Sequence, residues 1–189
     1  MYSITANRMI SGLVLKYLKE AGLVMGKSYA TPLPASRQVL LTRPLCQSAM
    51  SHVSSMIAHG VFEFWPSLKF VVIECGVAWV APLMWRLDAD FKALRKETPW
   101  LKRLPSEYMK SHIRFTTQPL EEPENRDHLW SILDAMDGRN TLMFASDYPH
   151  WDYDDMNRVH IPDDWRPNVM GLNALDTYTR LPQEKATAS

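Results

Sequence analysis

The chain has 189 residues, enough for a substantial hydrophobic core but short of the roughly 250 residues of a complete eight-fold (β/α) barrel. Its 21 basic and 21 acidic residues balance, so no basic surface for nucleic acid is expected. The sequence has no long apolar stretch and only two cysteines. It therefore predicts no membrane span and no disulfide framework, and a cytoplasmic location is the default expectation.

The first 44 residues carry the weakest structural pattern. Apolar residues recur at helical spacing across residues 11–21, and Gly22 ends that predicted helix. Residues 23–27 are candidates for a short strand. The two prolines within residues 31–38 indicate a loop.

The remainder of the chain alternates between strand and helix patterns. Strands are predicted at 68–74, 113–117 and 141–145, and helices at 45–65, 80–95, 105–112, 121–138 and 164–179. The strand segments are short, apolar runs, typical of strands that are buried on both faces. The alternation predicts an α/β fold whose three strands are parallel and adjacent in chain order.

Polar clusters follow each of the three predicted strands. They are Glu74-Cys75-Gly76, residues 116–119 and residues 146–152. Ligands of α/β folds and barrels bind at the carboxyl ends of the strands. An acid at the end of an apolar strand is costly to bury without a partner, so Glu74 and Asp147 are the strongest candidate site residues.

Each candidate also has a structural interpretation. Asp147 could serve only as a turn cap, as aspartate often does. Glu74 could form an ion pair with Arg86 or Arg114. His150 could simply pack on Trp151 in its loop.

Cys75 is a candidate nucleophile by residue type, but no histidine motif stands near it in the sequence. A small buried thiol is therefore the favoured interpretation of this cysteine.

Several segments resemble one enzyme family in the order in which they occur. These segments are residues 60–88, 105–123, 142–155 and 173–178. Over residues 51–178 the chain resembles the amidohydrolase-related family, which includes aminocarboxymuconate-semialdehyde decarboxylase and γ-resorcylate decarboxylase. The likeness is greatest to members with an acid, rather than a histidine, at the end of the sixth strand.

The resemblance implies a (β/α)₈ barrel that holds one divalent metal ion, usually zinc. It gives Asp147 the role of metal ligand or activator of the metal-bound water. Glu74 stands where decarboxylating members carry a catalytic histidine, and would act as an acid or base. Gln118, His150 and Trp151 are the expected substrate contacts.

Other metal ligands of the family have no counterpart in the sequence. There is no His-x-His motif, and Lys27-Ser28-Tyr29 stand where the family's fifth-strand histidine is expected. The sequence therefore predicts one domain over residues 1–189, the C-terminal half of a partial barrel truncated on its N-terminal side. Residues 1–44 match the family weakly and residues 45–180 strongly, and metal occupancy is doubtful.

Two hypotheses of function follow. The first is a metal-dependent hydrolase or decarboxylase for a small carboxylated or cyclic substrate, incomplete as a catalyst. The second is a non-catalytic remnant that packs against a partner, either a separately encoded N-terminal half or a second copy. An incomplete barrel would leave a free sheet edge, so we expect the chain to self-associate.

Overall fold

The computed structural model describes residues 44–149 and 153–179. Contacts divide the chain between Pro44 and Leu45, and all the elements described here lie in the second unit except for the first residue of α1, Pro44. The elements predicted at residues 11–21, 23–27 and 31–38 lie outside the described residues. The described elements are α1 (Pro44–Ala58), α2 (Val61–Phe64), β1 (Phe70–Val72), α3 (Val80–Leu94), a 3₁₀ turn (Arg95–Glu97), α4 (Pro105–His112), β2 (Ile113–Thr116), α5 (Arg126–Ala135), α6 (Gly138–Thr141), β3 (Leu142–Met143), a 3₁₀ turn (Asp163–Trp165), a π-helix (Asn168–Leu172) and α7 (Asn173–Thr177).

The three strands form one parallel sheet in the order β1-β2-β3, which confirms the predicted topology. Phe70 pairs with Ile113, and Phe115 pairs with Leu142. Helices separate consecutive strands in the chain, as parallel connections require. The fold is therefore α/β, and the carboxyl ends of all three strands meet at one edge of the sheet.

The core lies between the sheet and the helices. Ile113, Phe115 and Leu142 are buried there, and the Trp79 ring meets Phe115 edge-on at 5.7 Å between centroids. Side chains alternate between the faces of a strand, so Arg114 and Thr116 of β2 lie on the opposite face. Helix α3 buries Val80, Leu83 and Met84 near its start, whereas Leu94 at its end is 55% exposed.

Three predicted helices differ from the structure, and the one predicted at 121–138 spans only Arg126–Ala135. The helix predicted at 45–65 is interrupted at Gly60, which has a φ of 70° and lies against the Trp100 ring. The segment predicted as a helix at 164–179 is helical from Asp163 to Thr177, but its hydrogen-bond pattern changes along the chain, from 3₁₀ at Asp163–Trp165 to π at Asn168–Leu172 and α at Asn173–Thr177. Pro167 has helical φ and ψ but no amide N–H, so it cannot donate a hydrogen bond to the preceding turn.

A buried polar cluster joins α2, α4 and the segment that precedes α4. The Tyr108 hydroxyl donates to the Glu63 carboxylate and accepts the Lys102 amide N–H at 3.0 Å. His112 Nδ1 lies 3.0 Å from the Leu68 carbonyl oxygen, and its Nε2 lies 3.4 Å from an Arg103 guanidinium nitrogen. These partners require a neutral ring, with Nδ1 as donor and Nε2 as acceptor.

The free energy of unfolding is expected to decrease as the pH is lowered, and part of this decrease should depend on His112. Burial lowers its pKa below the usual value, and the nearby cations Arg103, Lys69 and Arg114 lower it further. The unfolded chain then takes up this proton at a higher pH than the folded chain does. The stabilising contribution is full above the ordinary histidine pKa of about 6.5 and is lost as pH falls towards the lower folded-state pKa.

Urea unfolding at pH 8 and pH 5.5 measures this effect. The wild type should lose more stability between the two values than His112→Gln, while His160→Gln, at an exposed histidine, should behave as wild type. Equal pH dependence in wild type and His112→Gln would contradict this assignment.

Among the described helices, none has the length and apolar character needed to cross a membrane.

Candidate functional site

Two acids follow the outer strands of the sheet, Glu74 two residues after the end of β1 and Asp147 four residues after the end of β3. Both have left-handed backbone, with φ of 58° and 55°. This conformation costs roughly 1–2 kcal/mol for a residue with a Cβ, and such strain is concentrated at functional sites. Asp137 also has a positive φ, of 59°, but it ends helix α5, where left-handed residues are ordinary.

The two acids leave the sheet on either side of β2. Adjacent strands lie about 4.8 Å apart, so the ends of β1 and β3 are roughly 10 Å apart. Both Glu74 and Asp147 are half-buried. They therefore belong to the same edge of the sheet, where the carboxyl ends of the three strands meet.

A third acid holds the turn after Glu74 in place. The Glu121 carboxylate accepts the Val77 N–H at 2.9 Å and the Ala78 N–H at 3.1 Å. Gly76 makes this approach possible: its φ is 64°, and a Cβ there would lie 2.2 Å from Glu121 Oε1. Glu121 thereby joins the loop after β2 to the loop after β1.

The loop that carries Asp147 folds back on itself. The Ser146 carbonyl accepts the Asp154 N–H at 2.9 Å, and the Ser146 hydroxyl accepts the Tyr148 N–H at 3.3 Å. The rings of Tyr148 and Tyr153 meet edge-on at 5.4 Å between centroids. These contacts fix the chain on both sides of Asp147.

An open cavity of about 660 Å³ lies between the loops after β2 and β3. Gln118, predicted as a substrate contact, is buried and lines this cavity. The lining carries charges of both signs, from Glu122, Asp154, Asp155 and Arg158. The predicted contacts His150 and Trp151 lie outside the described residues, and the cavity lining does not include Glu74 or Asp147.

The donor set for a metal ion is incomplete within residues 44–149 and 153–179. No group of three or more histidine, cysteine, aspartate or glutamate side chains is close enough there to hold one. A catalytic zinc site normally needs three protein ligands. The described residues therefore do not fit a complete metal centre by themselves, and Asp147 and Glu74 supply two carboxylates at most.

The structure also bears on the alternative roles of these residues. Arg86 lies 4.0 Å from the Asp90 carboxylate, and Arg114 lies 3.2 Å from that of Asp176, so both arginines pair with acids other than Glu74. Burial raises the pKa of the Cys75 thiol to about 11. Because the thiolate is the reactive form, this raised pKa favours the interpretation of Cys75 as a half-buried structural thiol over that of a nucleophile.

Sequence reasoning missed three residues that shape this edge of the sheet. Glu121 fell inside a predicted helix, although the prolines at 119 and 123 were a signal that it lies in a loop. Thr116 and Thr117 were recognised as part of a polar cluster, but no role was assigned to either residue. Their hydroxyls accept the amide N–H groups of Glu74 and Ala145, each at 3.2 Å.

A family model described as Amidohydrolase matches residues 16–180 of the chain. The match includes the three strands and both strand-end acids. A search of curated proteins gave no match.

Solved structures give the same picture of the fold. A 5-carboxyvanillate decarboxylase from Sphingomonas paucimobilis is 26% identical over 71% of this chain, with a TM-score of 0.53. An amidohydrolase from Mycobacterium avium subsp. paratuberculosis K-10 is 24% identical over 86% of this chain, with a TM-score of 0.60. A dihydroxybenzoic acid decarboxylase from Polaromonas sp. JS666, with bound manganese and the inhibitor 2-nitroresorcinol, is 17% identical over 79%, with a TM-score of 0.53.

The matched regions cover only part of those three proteins. They amount to 40%, 39% and 47% of the respective chains. The chain thus spans less than half the length of the structures that it matches.

Proposed function

Because this chain belongs to the amidohydrolase family, we propose that Glu74 and Asp147 form part of a divalent-metal-dependent site for hydrolysis or decarboxylation. The substrate is a small carboxylated aromatic or cyclic compound. The described sheet corresponds to the C-terminal half of a (β/α)₈ barrel, and the two acids lie at its catalytic face.

The pair of left-handed acids at the ends of β1 and β3 carries this proposal. A turn cap alone would account for Asp147 but not for Glu74, since glutamate rarely adopts positive φ. Both acids end parallel strands, and such strand ends converge on one site in barrels. Asp147 is the metal ligand, and Glu74 is either a second carboxylate ligand or the acid or base that moves a proton on the substrate.

The substrate class is drawn from the similar structures. Two of the similar proteins are decarboxylases of carboxylated phenols. In this chain Gln118, His150 and Trp151 are the proposed substrate contacts. Self-association of the chain is likewise a prediction.

The metal follows from the available ligands. Two carboxylates make an oxygen-rich site, which suits manganese or magnesium better than zinc. Two similar structures contain bound manganese. Since two carboxylates are fewer ligands than a tight site uses, we propose that this chain binds a divalent ion weakly and is incomplete as a catalyst.

Calorimetric titration of Mn²⁺ and Zn²⁺ into the full chain tests the proposal. We expect one weak Mn²⁺ site whose affinity falls about tenfold or more in Asp147→Asn, because that change removes a charged ligand. Asp137→Asn is the matched control, since Asp137 has the same backbone conformation at a helix end, and its affinity should equal that of wild type. Mn²⁺ binding that is the same in wild type and Asp147→Asn would reject the site.

The second candidate function is a non-catalytic polypeptide that packs against a partner. The lack of a three-ligand group in the described part of the chain favours it. No detectable Mn²⁺ or Zn²⁺ binding by the wild type would support this alternative over the first. A tight site abolished by Asp147→Asn would reject the alternative and show that further ligands contribute.

A further inference from the structure

Thr116, the last residue of β2, and Thr117, which follows it, are both buried. Thr116 is 7% exposed and Thr117 is 0% exposed. A hydroxyl group is costly to bury unless it is hydrogen-bonded. Strand geometry does not require threonine, because valine serves at positions 71 and 72 of neighbouring β1. What threonine adds over valine at these two positions is the hydrogen bonds of its hydroxyl group.

Thr116 holds the chain at Glu74. Its Oγ1 accepts the Glu74 N–H at 3.2 Å and donates to the Gln118 carbonyl at 3.3 Å. One side chain thus fixes the backbone of the acid after β1 and the start of the loop after β2. Glu74 is the residue whose left-handed backbone needs an external restraint.

Thr117 holds the segment after β3, on the other side of β2. Its Oγ1 accepts the Ala145 N–H at 3.2 Å, and its own N–H donates to the Met143 carbonyl at 3.0 Å. Ala145 lies two residues before Asp147, in the segment that leaves β3. The parallel ladder between β2 and β3 ends at Met143, so Thr117 extends the link between these chains towards the acid.

We propose that Thr116 and Thr117 are positioning residues that set the distance and direction between Glu74 and Asp147. The two threonines are adjacent at the end of β2, so their hydrogen bonds tie Glu74 and Ala145, two residues before Asp147, to one short stretch of backbone. This inference rests on the proposed function of the two acids. It adds that their mutual geometry depends on two side chains that touch neither substrate nor metal.

Valine and serine variants at both positions test the inference in the full chain. Valine keeps the shape and removes the hydroxyl, whereas serine keeps the hydroxyl. Thr141→Val is the matched control. Thr141 is also fully buried, and its hydroxyl bonds to the Asp137 carbonyl, at the opposite end of β3 from Asp147. The measurements are Mn²⁺ affinity, the free energy of unfolding, and amide hydrogen exchange by NMR.

We expect Thr116→Val and Thr117→Val each to lower Mn²⁺ affinity about tenfold, which corresponds to the loss of one hydrogen bond. Amide hydrogen exchange should accelerate about tenfold at Glu74 in Thr116→Val and at Ala145 in Thr117→Val. The core amide of Phe115 is the reference, and its exchange should change less. The serine variants should stay within about twofold of wild type. Thr141→Val should lose stability without losing Mn²⁺ affinity.

Three results would overturn the inference: valine variants with wild-type Mn²⁺ affinity, serine variants as weak as valine variants, or an equal loss of affinity in Thr141→Val. If a valine variant does not fold, Thr116→Ala or Thr117→Ala replaces it. If wild type binds no Mn²⁺, the proposed function fails, and NMR couplings that report φ at Glu74 decide the positioning role. A left-handed Glu74 that persists in Thr116→Val would reject that role, and its loss would support it.

Discussion

Replacing Gly76 with alanine is expected to lower the free energy of unfolding by about 3–5 kcal/mol. The φ of 64° at this position costs a residue with a Cβ roughly 1–2 kcal/mol. The new Cβ would also lie 2.2 Å from Glu121 Oε1 and displace that carboxylate. The Val77 and Ala78 amides would then lose a charged acceptor, which is worth roughly 1.5–3 kcal/mol.

Chemical denaturation of Gly76→Ala measures this loss, with Gly171→Ala as its control. No atom lies within 4 Å of the Cβ position at Gly171, so that substitution should be neutral or slightly stabilising. In a Glu121→Ala background the clash is absent, and the cost of Gly76→Ala should shrink to the backbone contribution. A loss below about 1 kcal/mol for Gly76→Ala in the wild-type background would contradict the account.

Replacing Tyr108 with phenylalanine is expected to lower the free energy of unfolding by about 2–3 kcal/mol. The ring is 1% exposed, and its hydroxyl accepts the amide N–H groups of Lys102 and Arg103 at 3.0 and 3.4 Å. The same hydroxyl donates to Glu63, whose pKa is lowered by the hydrogen bond from Lys102 and then by that from Tyr108. Phenylalanine leaves all three groups without this partner.

Urea denaturation of Tyr108→Phe gives the comparison, with Tyr153→Phe as the control. Tyr153 is 51% exposed, and loss of its hydroxyl should change stability by less than about 0.5 kcal/mol. The Glu63 carboxyl should also titrate at a higher pH in Tyr108→Phe, because one donor to its charged form is gone. If Tyr108→Phe were as stable as Tyr153→Phe, the buried Tyr108 hydroxyl would not be holding α2 to α4.

The fold of the described residues followed from hydrophobic pattern where that pattern was strong. The apolar runs at 68–74, 113–117 and 141–145 predicted three parallel strands in the right order. They did not predict where the strands stop, because each end is set by contacts between loops. The sequence showed an acid after an apolar run at Glu74, but it did not show the hydrogen bond from the Glu74 N–H to the Thr116 hydroxyl, more than 40 residues away.

Only some residues of the candidate site could be predicted from the sequence, because sequence patterns record local position but not contacts between loops. The position of an acid relative to a strand is a local property, so Glu74 and Asp147 could be identified from sequence. Glu121 could not, because its role comes from two amides in another loop. The break at Gly60 was missed because it arises from packing against Trp100, a contact across 40 residues that periodicity does not record.

Broadening of backbone amide signals by substoichiometric Mn²⁺ tests most directly whether Glu74 and Asp147 share a cation site. Bound Mn²⁺ should broaden the signals around both residues before those of exposed acids elsewhere, such as Asp163 and Asp164. The broadening at Glu74 should disappear in Asp147→Asn and persist in Asp137→Asn. Broadening spread evenly over the surface carboxylates, or broadening at Glu74 that does not depend on Asp147, would contradict the shared site.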